Sequence, residues 1–472
     1  MYQKRKRRLA MLTSILFTII ALCGDPLQAV AGMESTVTPQ MCNAAFWNAI
    51  PGEASYAVLM SSEHIARYNA SALAAPGSHM NDLINMDEAF DAAAQKEELA
   101  RTIVDEMPAK DVYVNRNRID RQVYYEYISE CVKATGWNGE IRPFYALAVS
   151  QTQIRSIPTL DYIGYSASDT DDEAVLSSLR VNEPFLVKQV AVVNDYLYYW
   201  GYSSNVCGWV DAKDIAFCAS KEEWLDMWQV DLNGKDFLVV TGNYFHLSQS
   251  YYAPAVSDLL LTMGTTLKLV PEKEIPKNIA GRGTWNNHVV YIPVRDADGH
   301  CIKQPALIAQ NKDLSIGYLP LTSANVVTQA FKYLGDTYGW GGMLDSVDCS
   351  ALVRNVYKCF GLEMPRNTNW QKEVPGTCLS LEGMSDEEKT AVIANCFPGT
   401  PLYMSGHTMI YLGTIDGVNY VISAMGSASD SAGELEVVSQ NTVAITPLTV
   451  RRRNGATWLA SINAEVTPWT TP

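Results

Sequence analysis

The sequence Tyr338-Gly339-Trp340-Gly341-Gly342 is followed shortly by Asp348-Cys349-Ser350-Ala351-Leu352-Val353. Apolar residues recur at helical spacing after Cys349, which predicts a helix over residues 349–360 with Asp348 as its N-cap. The Cys349 sulfur would lie in the first turn, where free backbone N–H groups and the helix dipole favour negative charge. We therefore expect a lowered thiol pKa and a nucleophilic role for Cys349. The alternative is a core cysteine on an apolar helical stripe.

A general base for this thiol is His407, which follows the tight Ser405-Gly406 pair and begins an apolar run over residues 407–412. Neutral imidazole is the usual base near pH 7. A histidine at the end of a core strand can face the N-terminus of a helix packed on the sheet. The alternative is an edge histidine in solvent.

Residues 321–472 are expected to form an α+β unit, in which helices precede an antiparallel sheet. A helix capped by Ser323 should run to Leu334. The strands are expected over residues 401–404, 407–412, 419–424, 434–438 and 457–462.

The upstream half divides into a helical part and a β part. Residues 32–148 are expected to form a helical N-terminal domain, with helices over 86–107 and 120–135. Residues 149–219 and 220–320 are rich in short β runs, and the pattern at 184–202, with Asn194-Asp195 at its turn, predicts a hairpin. Gly208-Trp209-Val210 and Gly317-Tyr318-Leu319 are similar, which suggests two related barrels in tandem.

The first 31 residues are typical of a secretion signal, with a basic head, an apolar run over 9–22 and a small-residue cleavage site at 29–31. We expect export to the periplasm or cell envelope, with no membrane span after cleavage. An uncleaved anchor is the alternative.

Composition excludes some classes of protein and of partner. With 47% apolar residues the chain is not mainly disordered, and its net charge of −15 argues against a nucleic-acid partner. Ten cysteines without a CxxC pair and six scattered histidines make a zinc site improbable, and we expect no cofactor. Cys207/Cys218 and Cys378/Cys396 could form local disulfides, but sequence does not establish connectivity.

The C-terminal motifs resemble those of the NlpC-type cell-wall cysteine peptidases, which have a papain-like fold. The matching stretches, in order, are 338–342, 348–353, 365–371 (Pro-Arg-Asn-Thr-Asn-Trp-Gln) and 406–413 (Gly-His-Thr-Met-Ile-Tyr-Leu-Gly). Upstream, the barrel pattern and the stretch Arg155-Ser156-Ile157-Pro158-Thr159 resemble the bacterial SH3-type domains that precede such peptidases.

The resemblance implies hydrolysis of a peptidoglycan stem peptide or muropeptide, typically between γ-D-glutamate and a diamino acid. Cys349 would be the nucleophile, His407 the base and Ser423 the third catalytic residue, where relatives usually carry His, Asn or Gln. The substrate would contact Tyr338, Trp340, Asp348, Ser350, Arg366, Asn367 and Thr368. Relatives that require a free L-alanine amine commonly carry Asp at the position of Asn367.

Two other functions remain open. The departure at Ser423 is compatible with a wall-binding SH3 protein whose catalytic domain is degenerate, and the same dyad could serve an amidase or acyl transferase. The acidic run over residues 169–173 could recognise a substrate ammonium group or could be a solvated loop.

Overall fold

The computed structural model describes residues 34, 36–342, 346–375, 378–429 and 438–466. The predicted signal peptide at 1–31 lies outside these residues, so cleavage and export stay predictions. Within the described ranges, no helix combines the length and the apolar character needed to cross a membrane.

The α-helices of the described chain include both predicted N-terminal helices, with one changed boundary. Asp120 accepts a hydrogen bond from the Val123 N–H and caps the second helix as expected. The first begins at Ala92 rather than Met86, because Asp91 accepts from the Ala93 and Ala94 N–H groups and fixes the start there. The helices are α1 (Ala44–Ala49), α2 (Ser62–Ala74), α3 (Ala92–Asp105), α4 (Arg121–Thr135), α5 (Lys221–Trp228), α6 (Ser323–Phe331), α7 (Cys349–Lys358), α8 (Thr368–Gln371), α9 (Asp386–Ala394) and α10 (Trp458–Ser461).

The strands before residue 220 form two short ladders and one large antiparallel sheet. They are β1 (Phe90–Asp91), β2 (Tyr113–Val114), β3 (Asn117–Arg118), β4 (Glu140–Ile141), β5 (Phe144–Ala148), β6 (Thr152–Arg155), β7 (Ile163–Gly164), β8 (Val175–Leu179), β9 (Pro184–Val193), β10 (Tyr196–Tyr202), β11 (Cys207–Asp211) and β12 (Ile215–Phe217). Among them, β1 pairs with β4 and the order β3-β2-β7 forms a small sheet, while the large sheet has the order β12-β5-β9-β10-β11-β6-β8.

The predicted hairpin is confirmed as β9 and β10. Asn194 and Asp195 both have positive φ, 50° and 66°, which matches the twist that a two-residue hairpin turn requires. The large sheet begins at Phe144 because β5 pairs with β9, so it starts before the boundary that we predicted at residue 149.

The strands between residues 220 and 320 form several small antiparallel sheets. They are β13 (Phe237–Val240), β14 (Tyr244–His246), β15 (Leu260–Thr262), β16 (Thr266–Lys268), β17 (Asn278–Ile279), β18 (Arg282–Gly283), β19 (Asn287–Arg295), β20 (Cys301–Ala309) and β21 (Leu314–Ile316). The likeness of Gly317-Tyr318-Leu319 to Gly208-Trp209-Val210 does not extend to their conformation, since Gly208 lies within β11 whereas β21 ends at Ile316 and Gly317 turns with a φ of 68°. The assignment of the two regions as SH3-like barrels stays a prediction.

The N-terminal helices are not packed as a separate unit. Met41, Trp47 and Tyr68 share a core with the C-terminal helices and sheet. Ile128 and Val132 of α4 instead share a core with the large sheet. The helices expected as one domain over residues 32–148 therefore pack their apolar faces against two different parts of the protein.

The C-terminal part is an eight-stranded sheet, within the described residues, with helices on it. The strands are β22 (Thr337–Tyr338), β23 (Ser346–Val347), β24 (Cys378–Ser380), β25 (Pro401–Met404), β26 (His407–Ile415), β27 (Val418–Ala428), β28 (Val438–Pro447) and β29 (Ile462–Val466). Their order is β23-β22-β28-β27-β26-β25-β29-β24. The α7 helix buries Leu352 and Val356 in the same core as Ile410 and Ile422 of the sheet.

Two local predictions for the C-terminal part are wrong, and a third lies mostly outside the described residues. Thr322, not Ser323, caps α6 by accepting from the Asn325 N–H. The strand expected over 457–462 is the helix α10, because Thr457 accepts from the Ala460 N–H. Most of the strand expected over 434–438 lies outside the described residues.

The structure has no disulfide between Cys207 and Cys218 or between Cys378 and Cys396. The Cys396 thiol instead donates to the Glu465 carboxylate at 3.1 Å.

Candidate active site

The predicted nucleophile lies at the start of α7. Cys349 is the first residue of that helix, and Asp348 caps it by accepting from the Ala351 N–H at 2.8 Å. The Cys349 side chain is buried, and its sulfur lies 3.7 Å from the Thr368 hydroxyl. The backbone N–H of Thr408 lies close enough to the sulfur to lower the pKa of the thiol. Since Thr408 follows His407, the two predicted catalytic residues come from neighbouring parts of the structure.

The predicted direction of the thiol pKa shift is wrong. Burial and the nearby Asp348 carboxylate raise the pKa of Cys349, and the hydrogen bonds from Thr408 and Thr368 offset this only in part. Position at the helix N-terminus does not compensate for the loss of water around the sulfur. The raised pKa favours the thiol form of Cys349 over the thiolate.

His407 is the first residue of β26 and is held on two sides. Its Nε2 atom lies 3.2 Å from the hydroxyl of the fully buried Ser423 on β27. Its ring packs on Trp458 with centroids 4.9 Å apart. Burial, together with the Arg452 cation, lowers the pKa of His407 to about 4. The imidazole is consequently neutral at physiological pH and able to accept a proton.

Asp348 and Arg366 form a buried ion pair beneath the nucleophile. Arg366 Nη2 lies 2.5 Å from Asp348 Oδ2, and the side chains are 7% and 2% exposed. Arg366 also donates to the hydroxyls of Ser177 and Ser350, each at 2.9 Å. This network lowers the pKa of Asp348 despite its burial. Both side chains border the cavity, but their polar atoms are already occupied by protein partners.

Tyr338 and Trp340 line the same cavity as Cys349. Burial, and to a lesser extent the neighbouring Cys349 and Asp348, raise the pKa of Tyr338, which stays a neutral donor. Trp340 Nε1 donates to the Val175 carbonyl at 2.6 Å and leaves the ring 43% exposed. Gly341 has a φ of 79°, and a Cβ there would approach Val175 to 2.3 Å, so glycine is required.

Asn367 and Thr368 begin the short helix α8. The Asn367 side chain accepts from the Asn369 N–H at 3.4 Å and is exposed, whereas Thr368 is buried beside the sulfur. Asn367 thus remains accessible to a ligand.

A cavity of about 600 Å³ opens over the thiol, and three parts of the chain enclose it. The predicted residues Tyr338, Trp340, Asp348, Cys349, Ser350, Arg366, Asn367 and Thr368 line it from the C-terminal part. The other walls are His79, Met80 and Asn81, from the segment after α2, and Leu176, Asn205, Val206 and Cys207, from the large sheet. His407 and Ser423 are not on this lining, which includes Gly406.

Sequence reasoning missed several residues that shape the site. Trp458, Thr408 and Arg452 surround the dyad, and His79 packs on Trp370 with ring centroids 4.5 Å apart. Trp458, Arg452 and His79 are distant in sequence from the motifs and carry no local signal, whereas Thr408 lies within the motif at residues 406–413.

The carboxylates of the acidic run over residues 169–173 differ in their surroundings. Asp172 pairs with the buried Arg155, with Nη1 to Oδ2 at 2.8 Å, and Asp169 accepts from the Ser166 N–H. Asp171 is half-buried, and burial, Asp169 and Asp348 raise its pKa. Asp171 lies near Tyr338 and contributes to raising the pKa of that tyrosine, but it is not on the lining of the cavity.

One group of side chains in the described residues could hold a metal ion: Asp296, Asp298 and His300. It lies outside the cavity, and the Asp296 carboxylate already accepts from the backbone N–H groups of Asp298 and His300.

A cysteine at a helix N-terminus beside a sheet that carries a half-buried histidine is the arrangement of a papain-like cysteine peptidase site. The model of the NlpC/P60 family matches residues 335–443. The C-terminal region is therefore an NlpC/P60 domain, and that family is one of cysteine peptidases.

Two solved structures are similar to this chain. An NlpC/P60 endopeptidase from Photobacterium damselae subsp. piscicida has a TM-score of 0.69 and 18% identity, covering 94% of this chain and 99% of that one. An NlpC/P60 family protein from Bacillus cereus has a TM-score of 0.41 and 15% identity, covering 68% of this chain and 98% of that one. The first likeness shows a shared fold over most of the chain. A search of curated proteins gave no match.

Proposed function

We propose that this protein is an exported cysteine endopeptidase that cleaves peptidoglycan stem peptides between γ-D-glutamate and the diamino acid. One observation carries the proposal. The Cys349 sulfur at the start of α7 lies beside the Thr408 backbone N–H, directly after His407, whose Nε2 lies 3.2 Å from the Ser423 hydroxyl.

The nitrogen of the His407 imidazole that is not bonded to Ser423 is the one that accepts the thiol proton. Ser423 occupies Nε2, so Nδ1 receives the thiol proton as the sulfur attacks the γ-carbonyl carbon. Because the thiol pKa is raised and the His407 pKa is lowered, the proton moves during attack rather than before it. The imidazolium then gives this proton to the leaving amine, and water hydrolyses the thioester to free the enzyme.

The oxyanion of the tetrahedral intermediate is stabilised at the same helix end. Backbone N–H groups in the first turn of α7 and the neutral Tyr338 hydroxyl are the donors for it. Raising the tyrosine pKa keeps that proton in place at the pH of the reaction.

The walls of the cavity favour short muropeptides over intact cross-linked wall. Side chains from the segment after α2 and from the large sheet form two walls of the cavity. On the C-terminal domain alone, the cavity would be an open groove. Asp171 supplies a carboxylate for the substrate's ammonium group, compensating for the uncharged Asn367.

The test is digestion of defined muropeptides. The purified full chain is incubated with L-Ala-γ-D-Glu-diaminopimelate tripeptide, its lysine counterpart and N-acetylated forms, and products are identified by mass spectrometry. We expect release of L-Ala-D-Glu by wild type and none by Cys349→Ala. Cys131→Ala, on α4 and outside the cavity, is the matched control and should keep full activity.

Other products would support a competing function. Release of the intact stem peptide from muramyl peptides would indicate an amidase. Binding to sacculi by wild type and Cys349→Ala alike, with no soluble product from any substrate, would indicate a wall-binding protein and would end the proposal of catalysis.

A further inference from the structure

Two cysteines outside the catalytic site lie on adjacent backbone segments. Phe217, the last residue of β12, forms a parallel bridge with His300, and its N–H donates to the Gly299 carbonyl at 2.9 Å. Cys218 and Cys301 are the next residues on the two segments. In a parallel register such residues lie side by side and project to the same face.

The packing of the two side chains agrees with this register. Both Cys218 and Cys301 are half-buried against the same apolar cluster, which contains Trp224 and Met227 of α5. The neighbouring Cys301 side chain, together with burial, raises the pKa of Cys218. The two side chains are therefore close to one another, in agreement with the backbone register.

The backbone spacing suits a covalent bond. Adjacent strands are roughly 4.7–4.9 Å apart, and the Cα atoms of disulfides are about 4.4–6.8 Å apart. The suggested partner of Cys218 in the sequence, Cys207, instead lies on β11 at the catalytic cavity.

We propose that Cys218 and Cys301 form a disulfide bond when the protein meets a disulfide oxidant such as oxidised glutathione. One thiolate attacks the oxidant and releases one reduced thiol, and the second cysteine then resolves the mixed disulfide and releases another. Two protein thiols lose two electrons and two protons, and the oxidant's sulfur–sulfur bond is reduced to two thiols.

The proposed disulfide links the large sheet covalently to the sheets of residues 220–320. The same junction holds a hydrogen bond from Arg295 Nε to the Ile215 carbonyl at 3.0 Å. Since the large sheet supplies one wall of the catalytic cavity, the disulfide fixes that wall to the 220–320 region without involving Cys349.

Peptide mapping tests the proposal directly. The reduced full chain is incubated with oxidised glutathione at about pH 8.5, where a substantial fraction of an ordinary thiol is ionised. Remaining thiols are then blocked with N-ethylmaleimide before trypsin digestion without reductant. We expect residues 214–221 joined to residues 296–303, each peptide having one cysteine, at the summed mass less two hydrogen atoms. Recovery of both peptides in blocked form, or Cys218 joined to a different cysteine, would overturn the proposal.

Thermal unfolding provides a second measurement. Dithiothreitol should lower the Tm of the oxidised wild type by roughly 2 °C or more. It should leave the Tm of Cys218→Ala and Cys301→Ala unchanged, while Cys131→Ala should behave as wild type. An oxidised wild type with the same Tm before and after reduction would contradict a stabilising disulfide. If a variant does not fold, the peptide map of the wild type still decides whether the disulfide forms.

Discussion

The hydroxyl of Ser423 lies 3.2 Å from Nε2 of His407, on the neighbouring strand of the sheet. A serine hydroxyl is short and uncharged, so it orients the imidazole without stabilising its cation as a carboxylate would. We predict that Ser423→Ala lowers kcat by roughly 10- to 100-fold and leaves KM nearly unchanged, a smaller effect than the ~10⁴-fold loss on altering a triad aspartate. Steady-state kinetics on the tripeptide measure both constants.

Ser427→Ala on the same strand is the matched control, because that residue is exposed. Ser423→Asn, which offers an amide oxygen to the imidazole, should retain more activity than Ser423→Ala. Equal kcat values for Ser423→Ala and wild type would mean that this contact does not orient the base.

The reactivity of Cys349 should follow its raised pKa. We predict that its alkylation by iodoacetamide keeps accelerating up to and beyond about pH 9, the region of an ordinary or raised thiol pKa, without a plateau near neutrality. The tryptic peptide of residues 333–354 contains no other cysteine, so mass spectrometry can follow this site alone. A rate that is already constant below pH 7 would indicate a resting thiolate–imidazolium pair instead.

The sequence predicted those features that rest on local chemistry. The cap at Asp348, the start of α7 at Cys349 and the turn at Asn194-Asp195 depend on residues close in the chain, and each is observed. The strand His407–Ile415 was identified by its apolar run.

Features that depend on tertiary packing could not be predicted in this way. The Cys349 pKa is set by burial beneath parts of the chain that are remote in sequence, and helix position alone gave the wrong sign. The helices before residue 148 look like one unit in sequence, but their apolar faces pack against two different partners. Trp458 reaches His407 only through the fold of the sheet.

Folding stability should depend on His407 at acidic pH. Its pKa is about 4 in the folded protein, below the ordinary value near 6.5. Between these values the unfolded chain binds a proton that the folded chain does not, so stability falls as pH decreases from about 6.5 to 4. The loss attributable to His407 is about 3 kcal/mol.

The measurement is urea denaturation of wild type and His407→Gln at several pH values across this window. The free energy of unfolding should fall more steeply for wild type, since the glutamine does not titrate. Parallel pH profiles for the two proteins would show that His407 is not buried in its neutral form.

Asp171 should contribute to substrate binding through its charge. We predict that Asp171→Asn raises KM for the free-amine tripeptide several-fold, with little change in kcat, because the carboxylate lies near Tyr338 and Asp348 and takes no part in bond making. The N-acetylated tripeptide is the internal comparison, and its kcat/KM should not fall. Asp298→Asn, at an exposed turn, is the control variant. Equal losses on both substrates would assign Asp171 a structural role.

The ion pair between Asp348 and Arg366 should be the costliest of these interactions to break. Asn is also a good helix N-cap, so Asp348→Asn preserves the cap while leaving the Arg366 cation buried without its counter-ion. Removing one partner of a buried pair costs roughly 3–5 kcal/mol, which we expect as the fall in the free energy of unfolding in urea. The exposed pair Arg118–Asp111, with side chains 64% and 60% exposed, provides the control Asp111→Asn, which should be indistinguishable from wild type. Replacing both partners, as Asp348→Asn with Arg366→Met, should recover part of the loss, since the uncompensated charge is then absent. If Asp348→Asn is no less stable than Asp111→Asn, the buried pair does not hold the base of the nucleophile helix.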